Sequence, residues 1–432
     1  MEYKNFSVDN LTGDDTKTDG TKIYEAIKTN LDRSNVKPET KKDKLLHQFS
    51  IIKDTAILNE KNGILGMTPL KYFTIFLKDK LYDSIRFNNS SEDYLGRFYG
   101  EFMSYSGGDG QTLGIVLTPK HITDLFCKLA DLKDDDIVLD PCCGTGGFLI
   151  SAMHEMVQKI KESNIGENSK QNKIKNIKQK QLHGIELQPY MFTIATTNMI
   201  LRGDGKSNII NENFLSQESG TLQLKQANVG MMNPPYSQGS SQNSNLYELS
   251  FAKHLLDSLV EDGNVIIIVP QSCMTGKTEE EASLKEKILE KHTLEGVITL
   301  NKDTFYGVGT LPCIAVFTAH QPHPEDKLVK FINFEDDGYK VFPHIGLVET
   351  ESAIDKKEHL LDVWFDRIDA ESKFCVKSTV KPDDEWLHSF YYFNDEIPTK
   401  EEFDKTVADY ITFMVNMMSH NRGHLFEGEE NE

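Results

Sequence analysis

Several patterns that define common protein classes are missing from this sequence. The 432 residues include six cysteines but no CxxC pair, and no HExxH is present, so neither a zinc site nor a disulfide framework is supported. No apolar run approaches the length of about 18 residues that suggests a membrane span. The N-terminus, MEYKNFSVDN, lacks the basic and apolar regions of a signal peptide. A globular, cytoplasmic protein without a membrane partner is therefore expected.

Positive charge is also in short supply. The chain has 47 Lys and Arg residues against 67 Asp and Glu residues, which gives a formal net charge of −20. A duplex phosphate backbone repels such a surface on average, and a protein that grips DNA alone usually shows a basic balance. Either the partner is not nucleic acid, or another subunit supplies the DNA-binding surface.

A short motif after an apolar run is the most informative stretch. The run VGMM ends in Asn233, Pro234, Pro235 and Tyr236. Proline fixes φ and restricts the residue before it, so Asn233 and Pro234 are expected to be held extended with their oxygens available as acceptors. Two rigid acceptors beside an aromatic ring suit a planar amine, whose developing positive charge they would stabilise as its nitrogen attacks.

A glycine-rich turn lies upstream of this motif. The run IVLD predicts a buried strand that Asp140 ends, and Gly144, Gly146 and Gly147 predict a turn into a helix that begins near Phe148. Glycines allow a ligand to approach the backbone closely. The order LTP, DPCCGTGGF, NPPY resembles the NPPY-type amino-methyltransferases, and more narrowly the modification (methyltransferase, M) subunits of type I restriction-modification systems.

The resemblance implies S-adenosylmethionine as cofactor and assigns the residues around it. Thr118, Pro119 and Asp140 would surround its methionine end, with Pro141, Gly144 and Gly146 in the loop beside it. Glu186 would accept the ribose hydroxyls, Asn213 would meet the adenine amino group, and Phe214 is the candidate for the adenine's apolar face, although ordinary core packing is an equal alternative for this residue. Family members commonly have aspartate where Asn213 stands, so the charge of that acceptor is lost.

The predicted fold is α/β, a doubly wound Rossmann-like S-adenosylmethionine-dependent methyltransferase sheet between a helical N-terminal domain and a short C-terminal helical extension. Predicted domains are 1–106, 107–345 and 346–432, with the N-terminal helices forming a bundle of their own. The lysine- and asparagine-rich stretch 159–181 is expected to be a solvated loop, with a DNA contact as the alternative. Phe305 or Tyr306 is expected to form a second wall of the base pocket. A capping box, Thr399 to Glu402, begins a C-terminal helix whose apolar seam packs on the chain itself or on a partner.

The resulting hypothesis is a subunit that methylates adenine N6 in DNA, on a base flipped out of the duplex. The resemblance implies DNA, a specificity subunit (S), a restriction and translocase subunit (R) and a second copy of this chain as partners. Two alternatives remain. NPPY also occurs in methyltransferases that modify protein glutamine, and the Asn213 change is compatible with a scaffold that has lost catalysis.

Overall fold

The computed structural model describes most of the chain with gaps. The described residues are 6–13, 16–33, 39–82, 117–202, 208–223, 225–240, 242–276, 278–306, 309–342, 346–394, 399–420 and 422. The predicted joint between helical and catalytic parts, with glycines at 107, 108 and 110, lies outside these residues. Within them, no helix combines the length and apolar character needed to cross a membrane.

The described chain begins with helices, then alternates helices with strands, and later has five strands in succession. The helices are α1 (Asp19–Arg33), α2 (Glu39–Asp54), α3 (Ala56–Asn59), α4 (Pro69–Leu77), α5 (Lys120–Leu129), α6 (Gly147–Glu162), α7 (Glu167–Asn176), α8 (Pro189–Leu201), α9 (Ser219–Gln223), α10 (Glu248–Ser258), α11 (Gln271–Thr275), α12 (Glu279–Leu289), α13 (Ala353–Trp364), α14 (His388–Tyr391) and α15 (Lys400–Ser419). The strands are β1 (Val138–Asp140), β2 (Leu182–Ile185), β3 (Asn208–Ile210), β4 (Val229–Met232), β5 (Asn264–Pro270), β6 (Thr293–Leu300), β7 (Pro312–Thr318), β8 (Val329–Phe334), β9 (Tyr339–Phe342), β10 (Gly346–Glu349) and β11 (Cys375–Ser378).

Nine of the described strands form one sheet in the order β11-β8-β6-β7-β5-β4-β1-β2-β3. The five strands from β5 to β3 run parallel, and β7 enters antiparallel between β5 and β6. The chain builds outward from β1 through β2 to β3, then returns to place β4 on the other side of β1. That reversal between β1 and β4 is the type of position where open α/β sheets bind ligands.

Both faces of the sheet are covered by helices. In β5 the side chains of Ile266 and Ile268 join one hydrophobic cluster, while Val265, Ile267 and Val269 join another. Burial on both faces explains why this strand reads as a continuous apolar run instead of an alternating one. The predicted doubly wound α/β sheet is confirmed.

The N-terminal helices share the core of the catalytic part. Leu31, Leu45 and Leu46, from α1 and α2, belong to the same buried cluster as residues of α5 and α6. The Lys44 ammonium also donates to the main-chain oxygen of Asn211, 3.1 Å away. The apolar faces of α1 and α2 are therefore completed by the catalytic core, while the N-terminal helical domain stays a prediction.

The stretch 159–181 is mostly helical, with a short turn at 163–166, and is not the expected loop. It contains the end of α6, all of α7 and a further helical turn at Ile177–Gln181. Ile160 and Ile177 are fully buried, Ile174 packs on the same cluster, and Lys173 forms an ion pair with Asp134. The lysines and asparagines thus form the outer surface of a segment that three isoleucines hold against the core.

Contacts divide the chain into two compact units, Met1–Tyr391 and Tyr392–Glu432. After the predicted boundary at 345/346, β11 pairs with β8 in the central sheet. The three predicted domains therefore stay a prediction, while the observed division falls at residue 391. Within the second unit, Thr399 and Glu402 form the expected reciprocal capping box at the start of α15.

We expect Leu45→Ala to lower the free energy of unfolding of the whole catalytic part by about 2 to 5 kcal/mol, because it opens a cavity in the shared core. Leu45 is 1% exposed. Ile51→Ala in the same helix is the control, since Ile51 is 70% exposed. Chemical denaturation followed by tryptophan fluorescence measures both variants. An unchanged transition for Leu45→Ala would show that the two parts are energetically independent.

Candidate active site

A cleft of about 210 Å³ lies where β1, β2 and β4 end at the same edge of the sheet. Nine of the residues singled out from the sequence line it: Pro141, Gly144, Glu186, Asn213, Phe214, Asn233, Pro234, Pro235 and Tyr236. Positions almost 100 residues apart in the sequence are therefore neighbours in the fold. The other predicted residues lie one contact away from these walls or at the ends of the neighbouring helices.

The loop after β1 has the backbone that its glycines predict. Gly144 and Gly146 adopt φ values of +52° and +89°, in the left-handed region, and Gly146 is the N-cap of α6. A Cβ atom added to Gly144 would meet nothing within 4 Å, so the missing side chain leaves open space at the cleft wall. This gives a ligand direct access to the backbone at the start of a helix.

Glu186 follows β2 directly and holds this loop. Its carboxylate accepts from the Gly144 N–H at 2.9 Å and from the Gln188 N–H at 2.7 Å. Burial nevertheless raises the pKa of Glu186, because removal from water disfavours the charged form more than these hydrogen bonds favour it. A carboxylate in this condition gains from a hydroxyl-rich or cationic ligand.

Asp140 ends β1 and is fully buried beneath the cleft. One carboxylate oxygen, Oδ1, accepts from the Cys142 N–H at 3.3 Å, while Oδ2 has no hydrogen-bond partner among the described residues. Burial raises the pKa of Asp140 well above its ordinary value, and the nearby Glu186 carboxylate raises it further. Two acids at the ends of neighbouring strands thus make this wall favourable for positive charge.

Asn213 and Phe214 form the far wall. The Asn213 side-chain oxygen accepts from the Leu215 N–H at 3.0 Å and so caps a short helical turn. Phe214 is 3% exposed, lies 4.6 Å from the His254 ring between ring centres, and still lines the cleft. It is therefore both a core residue and a cleft residue, so the two interpretations of this position are compatible.

Thr118 reaches the opposite wall from the start of α5. The Asn233 amide nitrogen donates to the Thr118 hydroxyl oxygen at 3.0 Å, across 115 positions of sequence. This hydrogen bond directs the amide nitrogen of Asn233, and not its oxygen, toward Thr118. Pro119 is the N-cap of α5, where its main-chain oxygen accepts from Ile122 and Thr123. The structure thus links the LTP segment to the NPPY segment.

Tyr236 completes the cleft beside Pro235. Its ring meets Phe305 edge-on, with 6.1 Å between ring centres, and its hydroxyl lies 3.4 Å from the Ile268 main-chain oxygen. Phe305 is 3% exposed, whereas Tyr306 is 58% exposed. Of the two aromatic candidates, the structure therefore places Phe305 against Tyr236. The role of either ring toward a base stays a prediction.

Some cleft residues were not anticipated from the sequence. Gln188, Met191, Glu212, Leu246 and Phe251 also line the walls. Gln188 and Met191 belong to the turn and helix that follow Glu186, so their position follows from that assignment. Leu246 and Phe251 come from the segment after the NPPY loop, and no motif marked them. In the described part of the chain, no group of His, Cys, Asp and Glu side chains is arranged to hold a metal ion.

Comparison with known proteins gives a consistent result. The family model described as N-6 DNA Methylase matches residues 90–394. The chain is 48% identical over 436 residues to the type II restriction enzyme and methyltransferase RM.BcgI of Heyndrickxia coagulans, with 100% of this chain and 67% of that protein covered. It is 24% identical to the type I restriction enzyme MjaVII methylase subunit of Methanocaldococcus jannaschii, over 82% of this chain and 62% of that protein.

Solved structures show the same fold. A chain of a type I R-M system, solved to explain its complex assembly and conformational transition, superposes with a TM-score of 0.58 at 18% identity. That match covers 90% of this chain and 80% of the other. The chain spans about two thirds of the length of the two curated relatives.

We expect Gly146→Ala to destabilise the protein by about 1 to 2 kcal/mol, because a left-handed backbone is costly for a residue with a Cβ atom. Gly147→Ala is the matched control, since its Cβ would make only an ordinary contact, 3.7 Å from Thr123 Cγ2. Thermal unfolding of both variants measures the difference. Equal stability of the two would mean that the loop relaxes away from the left-handed conformation.

Proposed function

Because the chain belongs to the N-6 DNA methylase family, we propose that it transfers a methyl group from S-adenosylmethionine to the N6 amino group of adenine in DNA. One observation carries this proposal: the cleft unites a glycine loop and an acid on one side with the Asn-Pro-Pro-Tyr motif on the other. A methyl donor and a planar amine would then meet at the switch between β1 and β4.

The residues on the first side fit the proposed cofactor. The open space at Gly144 admits a ligand to the backbone, and Glu186 offers carboxylate oxygens for a ribose diol. The acidic wall of Glu186 and Asp140 favours a ligand that carries positive charge. S-adenosylmethionine supplies a methyl group activated by a sulfonium centre. Asn213 and Phe214 are proposed to contact its adenine. Pro141 is proposed to contact the cofactor from the loop after β1.

The residues on the second side are proposed to hold the target. Asn233 and the Pro234 main-chain oxygen would accept the two hydrogens of the amino group, which stabilises positive charge as its nitrogen attacks the methyl carbon. The bond between the methyl carbon and the sulfonium sulfur would break as the bond to nitrogen forms, so that the sulfur would leave as a neutral thioether. The methylated nitrogen would then lose one proton to water. Thr118 orients Asn233 by accepting from its amide nitrogen. Tyr236 would stack on the flipped base.

The family assignment favours DNA over protein as substrate. A glutamine side chain presents the same planar NH₂ group, so the NPPY loop alone does not separate the two. The match to an N-6 DNA methylase model over residues 90–394 supports the nucleic acid. The scaffold alternative rests on the Asn213 change, and against it Glu186 on the cleft wall still offers a carboxylate to the proposed cofactor.

The acidic balance of the chain bears on its partners. A net charge of −20 gives little reason to hold a duplex, while flipping a base costs a few kcal/mol and needs a firm grip on flanking DNA. We therefore propose that a DNA-specificity subunit supplies the grip, within a restriction-modification system in the cytoplasm. A nuclease or translocase subunit and a second copy of this chain are proposed further members of the complex, with α15 as a docking element.

We expect cells that express the chain with its genomic neighbours to contain N6-methyladenine in a specific DNA sequence, and Asn233→Ala to reduce the modification by roughly 10²- to 10³-fold. Direct sequencing of modified bases in host DNA measures this. Asn243→Ala, an exposed asparagine in the following loop, is the control. Methylated glutamine in protein without modified DNA would show that the substrate is protein. If neither DNA nor protein is methylated, the non-catalytic scaffold is the remaining hypothesis.

We expect the affinity for S-adenosylmethionine to rise with pH across the range just above the ordinary glutamate pKa and then to level off. Burial raises the pKa of Glu186 in the free chain, so at acid pH the carboxyl group is neutral and a weaker acceptor for the ribose hydroxyls than the carboxylate. Glu186→Gln should weaken binding roughly ten- to hundredfold at neutral pH and flatten this pH dependence. Calorimetry at several pH values tests this, with Glu212→Gln as the control on the same cleft. A pH profile that Glu186→Gln leaves unaltered would exclude Glu186 as the titrating group.

A further inference from the structure

Glu248 is a buried acid that the proposed chemistry does not use. It is the first residue of α10 and only 5% exposed. One of its carboxylate oxygens, Oε1, accepts a hydrogen bond from the main-chain N–H of Ser237 at 2.7 Å. Ser237 is the residue directly after Tyr236. The contact therefore fastens the end of the NPPY loop to a helix that begins 11 residues further along the chain.

Ser237 has a backbone conformation that needs such support. Its φ is +57°, in the left-handed region that residues with a Cβ atom rarely adopt. A left-handed conformation is unfavourable for a residue with a Cβ atom, and strain of this kind persists only where surrounding contacts offset it. A charge-assisted hydrogen bond to the strained residue's own N–H is such a contact.

The buried carboxylate is suited to this place. The first turn of α10 carries unsatisfied N–H groups and the positive end of the helix dipole, which favour a negative side chain. The loop also packs directly on the same helix start: a Cβ atom at Gly239 would lie 2.5 Å from Tyr247 Cδ1. The chain leaving Tyr236 is therefore held against α10 at two successive points.

Tyr236 itself is weakly fixed by its own polar group. Its hydroxyl lies 3.4 Å from the Ile268 oxygen, at the long limit of a hydrogen bond, and its ring touches Phe305 only edge-on. The ring also packs on the hydrophobic core, so its direction depends jointly on that packing and on the backbone that carries it. Asn233 and Pro234 stiffen that backbone on one side, and the Glu248 contact fixes it on the other.

We propose that Glu248 is a positioning residue for the methyl-transfer site, which holds Ser237 in its left-handed turn and thereby sets the Tyr236 ring for the target base. The inference rests on the proposed function, since it concerns the base that Tyr236 would stack on. Glu248 contacts the loop and not the substrate. Its carboxylate oxygen, and not a proton transfer, is the working part.

The anchor can be measured without any activity. Amide hydrogen exchange of the segment 233–240 in the full chain should be slower in the wild type than in Glu248→Ala, because the Ser237 N–H loses its acceptor. Glu261→Ala, an exposed acid in the turn after the same helix, is the control and should leave this exchange unchanged. Equal exchange in wild type and Glu248→Ala would overturn the anchor.

Turnover of the assembled complex tests its consequence. Glu248→Ala should lower kcat roughly ten- to hundredfold, the range of one charged hydrogen bond, while the KM for S-adenosylmethionine stays unchanged. Glu248→Gln keeps an oxygen acceptor and should retain most of the activity. Ser237→Gly should restore part of the loss in Glu248→Ala, since glycine adopts a positive φ without the steric cost. The proposal is overturned if Glu248→Ala has a normal kcat or if Glu248→Gln is as impaired as Glu248→Ala. It is also overturned if adding Ser237→Gly to Glu248→Ala restores no activity.

Two further comparisons keep the test decisive. If Glu248→Ala does not fold, Glu248→Asp replaces it, because the shorter side chain keeps the charge but withdraws from Ser237; recovery by Ser237→Gly is again expected, and its absence overturns the proposal. A wild-type complex that methylates no DNA, together with slow exchange at Ser237, refutes the proposed function and leaves the anchor of the loop intact.

Discussion

The parallel pairing of β1 with β4 is the constraint on which the site depends. Val138 lies opposite Val229 and Leu139 opposite Gly230, so both strands end at the same edge, close to Asp140 and Asn233. A register change by one residue would turn the side chains of β4 to the opposite face of the sheet. Gly230 also matters, because a Cβ there would come within 3.1 Å of Leu255, whose helix covers this face. The buried strand and its covering helix thus set where the NPPY loop begins.

Local sequence was sufficient for features that follow from backbone chemistry. The strand before Asp140, the glycine turn into α6 and the capping box at Thr399 all rest on short-range rules of residue conformation, and all three are present. The stretch 159–181 escaped prediction for the opposite reason. Its lysines dominate the composition, while its fold is decided by three isoleucines that find partners elsewhere in the chain.

The same distinction applies to the site. The residues of the cleft walls could be chosen from motifs, but not their contacts. The Thr118 hydroxyl meets Asn233 because distant elements converge at one edge of the sheet. Glu248 meets Ser237 because the chain between them folds back on itself. The choice between Phe305 and Tyr306 likewise needs burial, which adjacent aromatic residues do not reveal. Three-dimensional convergence is therefore the information that a single sequence leaves open.

Thr118 occupies an unusual place in this arrangement. Asp140, Glu186 and Asn213 come from the first half of the sheet, and Asn233 and Tyr236 from the second, whereas Thr118 precedes β1 and yet binds Asn233. One hydroxyl group thus connects the segment proposed to bind the methyl donor to the residue proposed to bind the methyl acceptor. A ligand that shifts the start of α5 also shifts the side chain that receives the other ligand, and thermodynamic linkage makes this influence mutual. Under the proposed function, the two substrates of this cleft would consequently be coupled: the affinity for each would depend on whether the other has already bound.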